Sequence, residues 1–183
     1  MVFWDQSVIK IFAVLTLIAQ VVIVAYLLDW VIFKASGKRF GDKLWKFFGK
    51  RGLLFMFIIS LTAMVGSLIF SELLKFAPCT LCWYQRIFMY PMVFIAGMAL
   101  IRKERRRIMP YLVMLSVIGL LIAGFHYYNQ TSENPVDLPC SALGYSASCS
   151  ESFFAEFGYI TIPMMAFTAF LGIIVLWFMS RRN

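Results

Sequence analysis

The chain has 183 residues, 62% of them hydrophobic, and a mean hydropathy of +0.82. A soluble domain of this length cannot bury so much apolar side chain, so a water-soluble globule is excluded and lipid is the solvent. The net charge of +8 does not argue for nucleic acid, because fourteen of the 17 Lys and Arg sit in three short segments, 34–52, 102–107 and 181–182, with no recognition motif.

Taken in chain order, the first apolar run covers residues 11–28. It is too long for a secretion signal, its N-terminal flank is not basic, and no small-residue cleavage site follows, so it reads as a retained span. The basic segment after it holds Phe40, Leu44, Trp45, Phe47 and Phe48 among lysines. That pattern suits either a short amphipathic helix on the inner membrane surface or a solvated loop. Further spans are expected at 53–70, 82–101, 108–127 and 158–179. Pro110 suits the first turn of its helix, whereas Pro91 is expected to kink the third span and Pro163 to perturb the start of the fifth. Placing the three basic segments in the cytoplasm makes all five spans alternate. The N-terminus, the 71–82 connection and the 128–157 loop then lie outside, and the C-terminus inside. The long loop carries Glu133, Asp137, Glu151 and Glu156 and no Lys or Arg.

The third span carries the chemistry. Between Arg86 and Arg102 there are only 15 residues, whereas a spanning helix needs roughly 20. Extending the helix back to Cys82 supplies the length and puts Arg86 inside the apolar layer. Cys79-Thr80-Leu81-Cys82 then lies at the membrane edge with a cation one turn below. Cys82 falls in the first turn of the helix, where unpaired N–H groups and the macrodipole favour its thiolate. Arg86 shares its face and would favour the thiolate further or hold an anionic oxygen. The plainer reading of Arg86 is a side chain snorkelling to the headgroups.

All four cysteines, Cys79, Cys82, Cys140 and Cys149, fall on the outer side, where disulfides are permitted. Three pairings exist, and proximity favours Cys79–Cys82 with Cys140–Cys149. Inert staples and a four-cysteine zinc site are the alternatives; the second gap of eight residues fits zinc poorly, so no metal is expected. Ser148 and Glu151 have capping-box spacing around Cys149. A short helix is expected to follow, presenting Phe153, Phe154 and Phe157 to the membrane surface. His126, the single histidine, lies near the outer end of the fourth span, within reach of the pocket around Arg86.

Pro78-Cys79-Thr80-Leu81-Cys82-Trp83-Tyr84-Gln85-Arg86 resembles the P-C-x-L-C-x-Y-x-R signature of the DsbB/BdbC disulfide bond formation proteins. Phe125-His126-Tyr127, the second cysteine pair and Ile160-Thr161-Ile162-Pro163 extend the likeness over about residues 53–180. The resemblance implies an all-α integral membrane fold. A four-helix transmembrane bundle over 53–183 carries the outer loop 128–157, and an extra N-terminal transmembrane helix with a basic cytoplasmic loop occupies 1–52. It further implies a bacterial inner-membrane oxidoreductase that re-oxidises a DsbA-like thioredoxin-fold partner and passes the electrons to a quinone, ubiquinone or menaquinone. By motif, Cys79 and Cys82 are the quinone-coupled pair, Cys82 is the sulfur next to the quinone, and Arg86 assists its binding, with His126 expected in the same pocket. Cys140 and Cys149 meet the partner, Cys140 forming the mixed disulfide. Two features depart from the pattern: the extra first span, and the close spacing of the outer pair, which is similar to the BdbC branch. A vitamin-K-epoxide-reductase-like enzyme shares the four-helix bundle and the CxxC, but there the loop pair precedes the membrane CxxC. A zinc-stapled, non-enzymatic membrane subunit is the alternative from another class.

Overall fold

The computed structural model describes residues 3–37, 41–132, 149–150 and 152–181. Among them run six helices: α1 (Phe3–Ser36), α2 (Asp42–Lys50), α3 (Gly52–Leu68), α4 (Thr80–Arg102), α5 (Arg105–Thr131) and α6 (Ile162–Arg181). All but α2 are long and apolar enough to cross a bilayer. The five expected spans are therefore present; the first, third and fourth run on into polar flanks, and the fifth starts at Ile162 instead of at 158. α1 is the longest, 34 residues or roughly 50 Å of helix, well beyond a ~30 Å hydrocarbon layer. Its ends reach the headgroup regions or it tilts.

The last four long helices close a ring. α3 packs against α4 and α6, and α5 packs against the same two. Lipid gives no hydrophobic drive to bring apolar helices together, so close approach at small residues does the work. Phe170, fully buried on α6, seats its ring where a side chain on Gly119 of α5 would be. Hydroxyls inside the bundle are satisfied locally: Ser60 donates to the Met56 carbonyl and Ser116 to that of Leu112, both at 2.8 Å. Pro91 sits inside α4 without ending it, and Pro163 takes the second position of α6, where a proline's missing N–H costs nothing.

The helical reading of the first basic segment holds in α2. Trp45 is buried edge-on against Tyr26 of α1, with ring centroids 5.3 Å apart, and Phe48 packs on Phe55 of α3 at 4.9 Å. Arg105, at the start of α5, donates to the carbonyls of Gly49 and Lys50 at the end of α2 and to Ser180 of α6. A cation at a helix C-terminus is favourable, and this one joins three helices at the basic end.

At the opposite end, α3 runs into a single π-helical turn, Ile69–Leu73, and α4 begins after a short irregular stretch in which Lys75 takes positive φ. Cys140, and with Ser148 and Glu151 the expected capping box, lie outside the described residues. The helix expected after Cys149 is not formed over 152–160. The chain instead reverses there: Phe157 and Gly158 both take positive φ, and Glu156 and Ile160 exchange backbone hydrogen bonds. The reversal turns Phe153 and Phe154 inward. Phe153 stacks on Phe76 at 4.8 Å and Phe154 meets Phe70 at 5.7 Å. Burial of two aromatic rings outweighs one helical turn, and Phe157 alone stays exposed as expected.

Gly119→Ala should destabilise the bundle by about 1–3 kcal/mol, since the new methyl meets a ring with nowhere to go. Unfolding in mixed detergent would measure this. Phe170→Leu in the same chain should return part of the loss, because the two positions touch.

Candidate functional site

The site is built where α4 starts. Cys79 is the N-cap residue, with extended backbone, and its carbonyl accepts the first helical hydrogen bond, from Trp83 N–H at 3.1 Å. Cys82 is therefore in the first turn. The Cys79 thiol donates to Cys82 Sγ at 3.5 Å. On its other side Cys79 meets His126 Nε2, also at 3.5 Å, and Gln85 Nε2 lies 3.0 Å from His126 Nδ1. With the Gln85 amide donating to Nδ1, the imidazole carries its proton on Nε2 and donates to Cys79. One directed chain thus runs Gln85, His126, Cys79, Cys82. His126 is only 2% exposed and Cys79 only 4%. The hydrogen bond to Cys82, and after it burial, push the Cys79 thiol up to about 12, with the His126 contact acting in the opposite direction. Cys149 packs into the same small cluster, with Cys79, Leu81, Cys82 and Ile122, and is 2% exposed.

Arg86 faces a different way. It donates to the Ser67 carbonyl of α3 at 3.1 Å, and its guanidinium lies 5.1 Å from the Trp83 ring centroid. Among the described residues no carboxylate pairs with it, and its Nε is buried without a hydrogen-bond partner. Beside it opens a cavity of about 490 Å³. Cys82, Gln85, Arg86, Ser67 and Ser71 line one end of this cavity. From there it follows α6 from Ile162 to Met179, roughly 25 Å of helix, between walls that are almost wholly apolar. Phe12, Phe70, Phe76 and Phe153 also line it. A molecule with a small polar head and a long apolar tail fits this shape. The buried, unsatisfied Arg86 N–H fits an oxygen on the head.

Residues 49–180 match the family model described as "Disulfide bond formation protein DsbB". The chain is 40% identical over 130 residues to "Disulfide bond formation protein C" of Bacillus subtilis (strain 168), covering 69% of this chain and 91% of that protein. It is 42% identical over 131 residues to a "Probable disulfide formation protein" of Oceanobacillus iheyensis, covering 72% and 89% respectively. The chain belongs to the DsbB family. No solved structure matches it. The match begins at residue 49, so α1 and most of α2 lie outside the family region.

Of the candidate residues in this DsbB-family chain, Cys79, Cys82, Cys149, His126 and Arg86 converge at the start of α4, and Cys140 lies outside the described residues. They divide into two sets. Cys82 and Arg86 line the cavity; His126 does not, and touches Cys79 behind it. The Sγ atoms of Cys79 and Cys82 and a His126 ring nitrogen lie within 4.8 Å of one another, close enough to share a metal ion as well as a proton. Sequence reasoning passed over Gln85, buried at the head of the chain to His126, and the polar residues of α1. The signal in each case was an uncharged polar side chain inside an apolar helix, which is costly unless it has a partner.

In the reduced full-length protein, a maleimide should modify Cys82 well before Cys79 between about pH 7 and about pH 9, because a thiol raised this far keeps its proton throughout. Peptide mapping after timed quenching reads the order. Equal labelling of the two would contradict the direction of the hydrogen-bond chain.

Proposed function

We propose that this DsbB-family protein is a membrane thiol oxidase that re-oxidises a DsbA-like thioredoxin-fold protein on the extracytoplasmic side and delivers the electrons to a membrane quinone. The observation that carries this reading is the cavity: Cys82 and an unsatisfied Arg86 N–H at its polar end, and a membrane-length apolar slot behind them. The basic segments at the far end support a cytoplasmic location for that end, and so an outer location for the sulfurs.

The exchange proceeds through the two cysteine pairs. A partner thiolate attacks Cys140 and Cys149 leaves; the partner's second thiol then displaces Cys140. The partner departs as a disulfide, and Cys140 and Cys149 are left as a dithiol. Cys149 next attacks Cys79 of the Cys79–Cys82 disulfide, with Cys82 as the leaving thiolate. Cys140 then displaces Cys79 from Cys149, which restores the loop disulfide and leaves the membrane pair reduced. The packing of Cys149 against Cys79 and Cys82 supports exchange between the two pairs, and the start of α4 supports Cys82 as the leaving group. Re-forming the Cys79–Cys82 bond releases two electrons and two protons, and a quinone held in the cavity would supply the acceptor for both. Arg86 would orient a quinone oxygen, Cys82 is the sulfur facing it, and Cys79 holds a proton supplied from the His126 side. The close Cys79, Cys82 and His126 atoms favour zinc as the second reading. Metal analysis of the purified protein separates the two, since stoichiometric zinc would displace the redox mechanism.

The test uses purified protein, a reduced thioredoxin-fold partner and a quinone, with quinone absorbance as the readout. Arg86→Ala should raise the KM for quinone by about 10–100-fold, the equivalent of losing one charged hydrogen bond of about 1.5–3 kcal/mol, while thiol exchange at Cys140 continues. Loss of exchange with quinone use intact would remove the role given to Arg86. With the partner supplied in its disulfide form, the Cys140 thiolate of Cys149→Ser should attack that disulfide and hold a covalent partner complex on non-reducing gels, whereas Cys140→Ser should give none. The reverse pattern would exchange the roles of the two cysteines.

A further inference from the structure

α1 lies outside the family region, yet it forms one side of the cavity. Phe12, Leu15, Thr16, Ala19, Val22 and Ile23 line it. Along the same helix, Ile9, Ala13, Thr16 and Ile23 are buried, with Gln20 on their stripe. Steps of three and four residues mark a packing seam rather than a helix turned to lipid on every side. The seam faces α6, where an added side chain on Gly172 would lie 3.8 Å from Ile23. Gln20 fixes its height: the amide donates to Thr168 of α6 at 3.0 Å and accepts from the Tyr159 hydroxyl at 2.8 Å. Towards α3, the Phe12 ring meets Phe70 edge-on at 5.4 Å and fills the space beside Gly66.

The polar groups that α1 brings are already engaged. Thr16 donates to the Phe12 carbonyl at 2.8 Å, and both ends of the Gln20 amide are used. This wall offers apolar surface alone, suited to the tail of an amphipathic ligand and not to its head.

We propose that α1 is a fifth wall of the acceptor chamber, enclosing the polyprenyl tail of the quinone along residues 12–23 and giving the protein a preference for long-tailed over tail-free quinones. This rests on the quinone reading above. The alternative occupant, a lipid acyl chain, is an outcome of the test.

The experiment uses the full chain in lipid nanodiscs, a reduced dithiol as electron donor, and two acceptors, one with a long polyprenyl tail and one with none. Ala19→Trp projects into the chamber, and Val21→Trp, 62% exposed on the lipid side, is its control. Ala19→Trp should raise the KM for the long-tailed quinone about tenfold while leaving that for the tail-free one, and Val21→Trp should change neither. A second readout is independent of turnover and of the stability of any variant. A quinone with a photoreactive group at the end of its tail should label the wild-type tryptic peptide 11–34, and the long-tailed quinone should compete the label away. Unaltered tail discrimination in Ala19→Trp together with no competable label in 11–34 overturns the role of α1 and leaves the quinone reading standing, the slot then belonging to lipid. Failure of the wild type to reduce either quinone overturns the quinone reading and this inference with it.

Discussion

A guanidinium inside the apolar layer must be housed, and the architecture of the cysteine end follows from that requirement. An arginine at this depth is costly unless protein groups replace water. Arg86 obtains the Ser67 carbonyl and the Trp83 ring. Ser67 stands just before the point where α3 changes to its π turn, so the end of α3 and the start of α4 are held side by side. The arrangement leaves Nε unsatisfied at the edge of the cavity. Buried donors are usually filled, and this one stands at a cavity wall, so the Nε is a local sign of a ligand.

The N-cap geometry of α4 gives two sulfurs three residues apart different surroundings. Cys79, at the cap, touches His126; Cys82, inside the first turn, lines the cavity; Cys149 packs against both. The hydrogen bond between the first two runs from Cys79 to Cys82.

Much of this was legible. Spans follow from apolar run length, and the shortfall in the third run forces its helix back through Cys82, as in the fold, where it starts at Thr80. The convergence of Arg86, His126 and Cys149 on the CxxC was readable from motif and from which end of each span they occupy. The segment after Cys149 was misread because capping-box spacing is a local signal. The chain there answers to a tertiary demand, the cover that Phe153 and Phe154 give to Phe76 and Phe70. His126 was assigned to the pocket of Arg86, but the ring's place behind Cys79 depends on the rotation of α5 about its axis, which a nearly uniform apolar sequence does not encode. The same uniformity concealed the seam of α1.

That seam explains why a chamber persists between helices that are apolar throughout. In water such a gap would collapse; in lipid the gap can be filled by a chain as apolar as the walls, so closing it gains little. What fixes its width is then the docking at either end. Near the cysteines α1 is held by Gln20 to Thr168 and Tyr159 and by Phe12 to Phe70. Near the basic end, Tyr26 packs on Trp45, and Asp29 accepts the Gly41 N–H at 3.3 Å, tying α1 to α2. Arg105 in turn fastens α2 to α5 and α6. A helix pinned at two heights cannot roll inward between them, and residues 12–23 stand as a wall. The first helix and the basic amphipathic segment thus act as one clamp, which connects the two parts of the chain that lie mostly outside the family region to the cavity lined by Cys82.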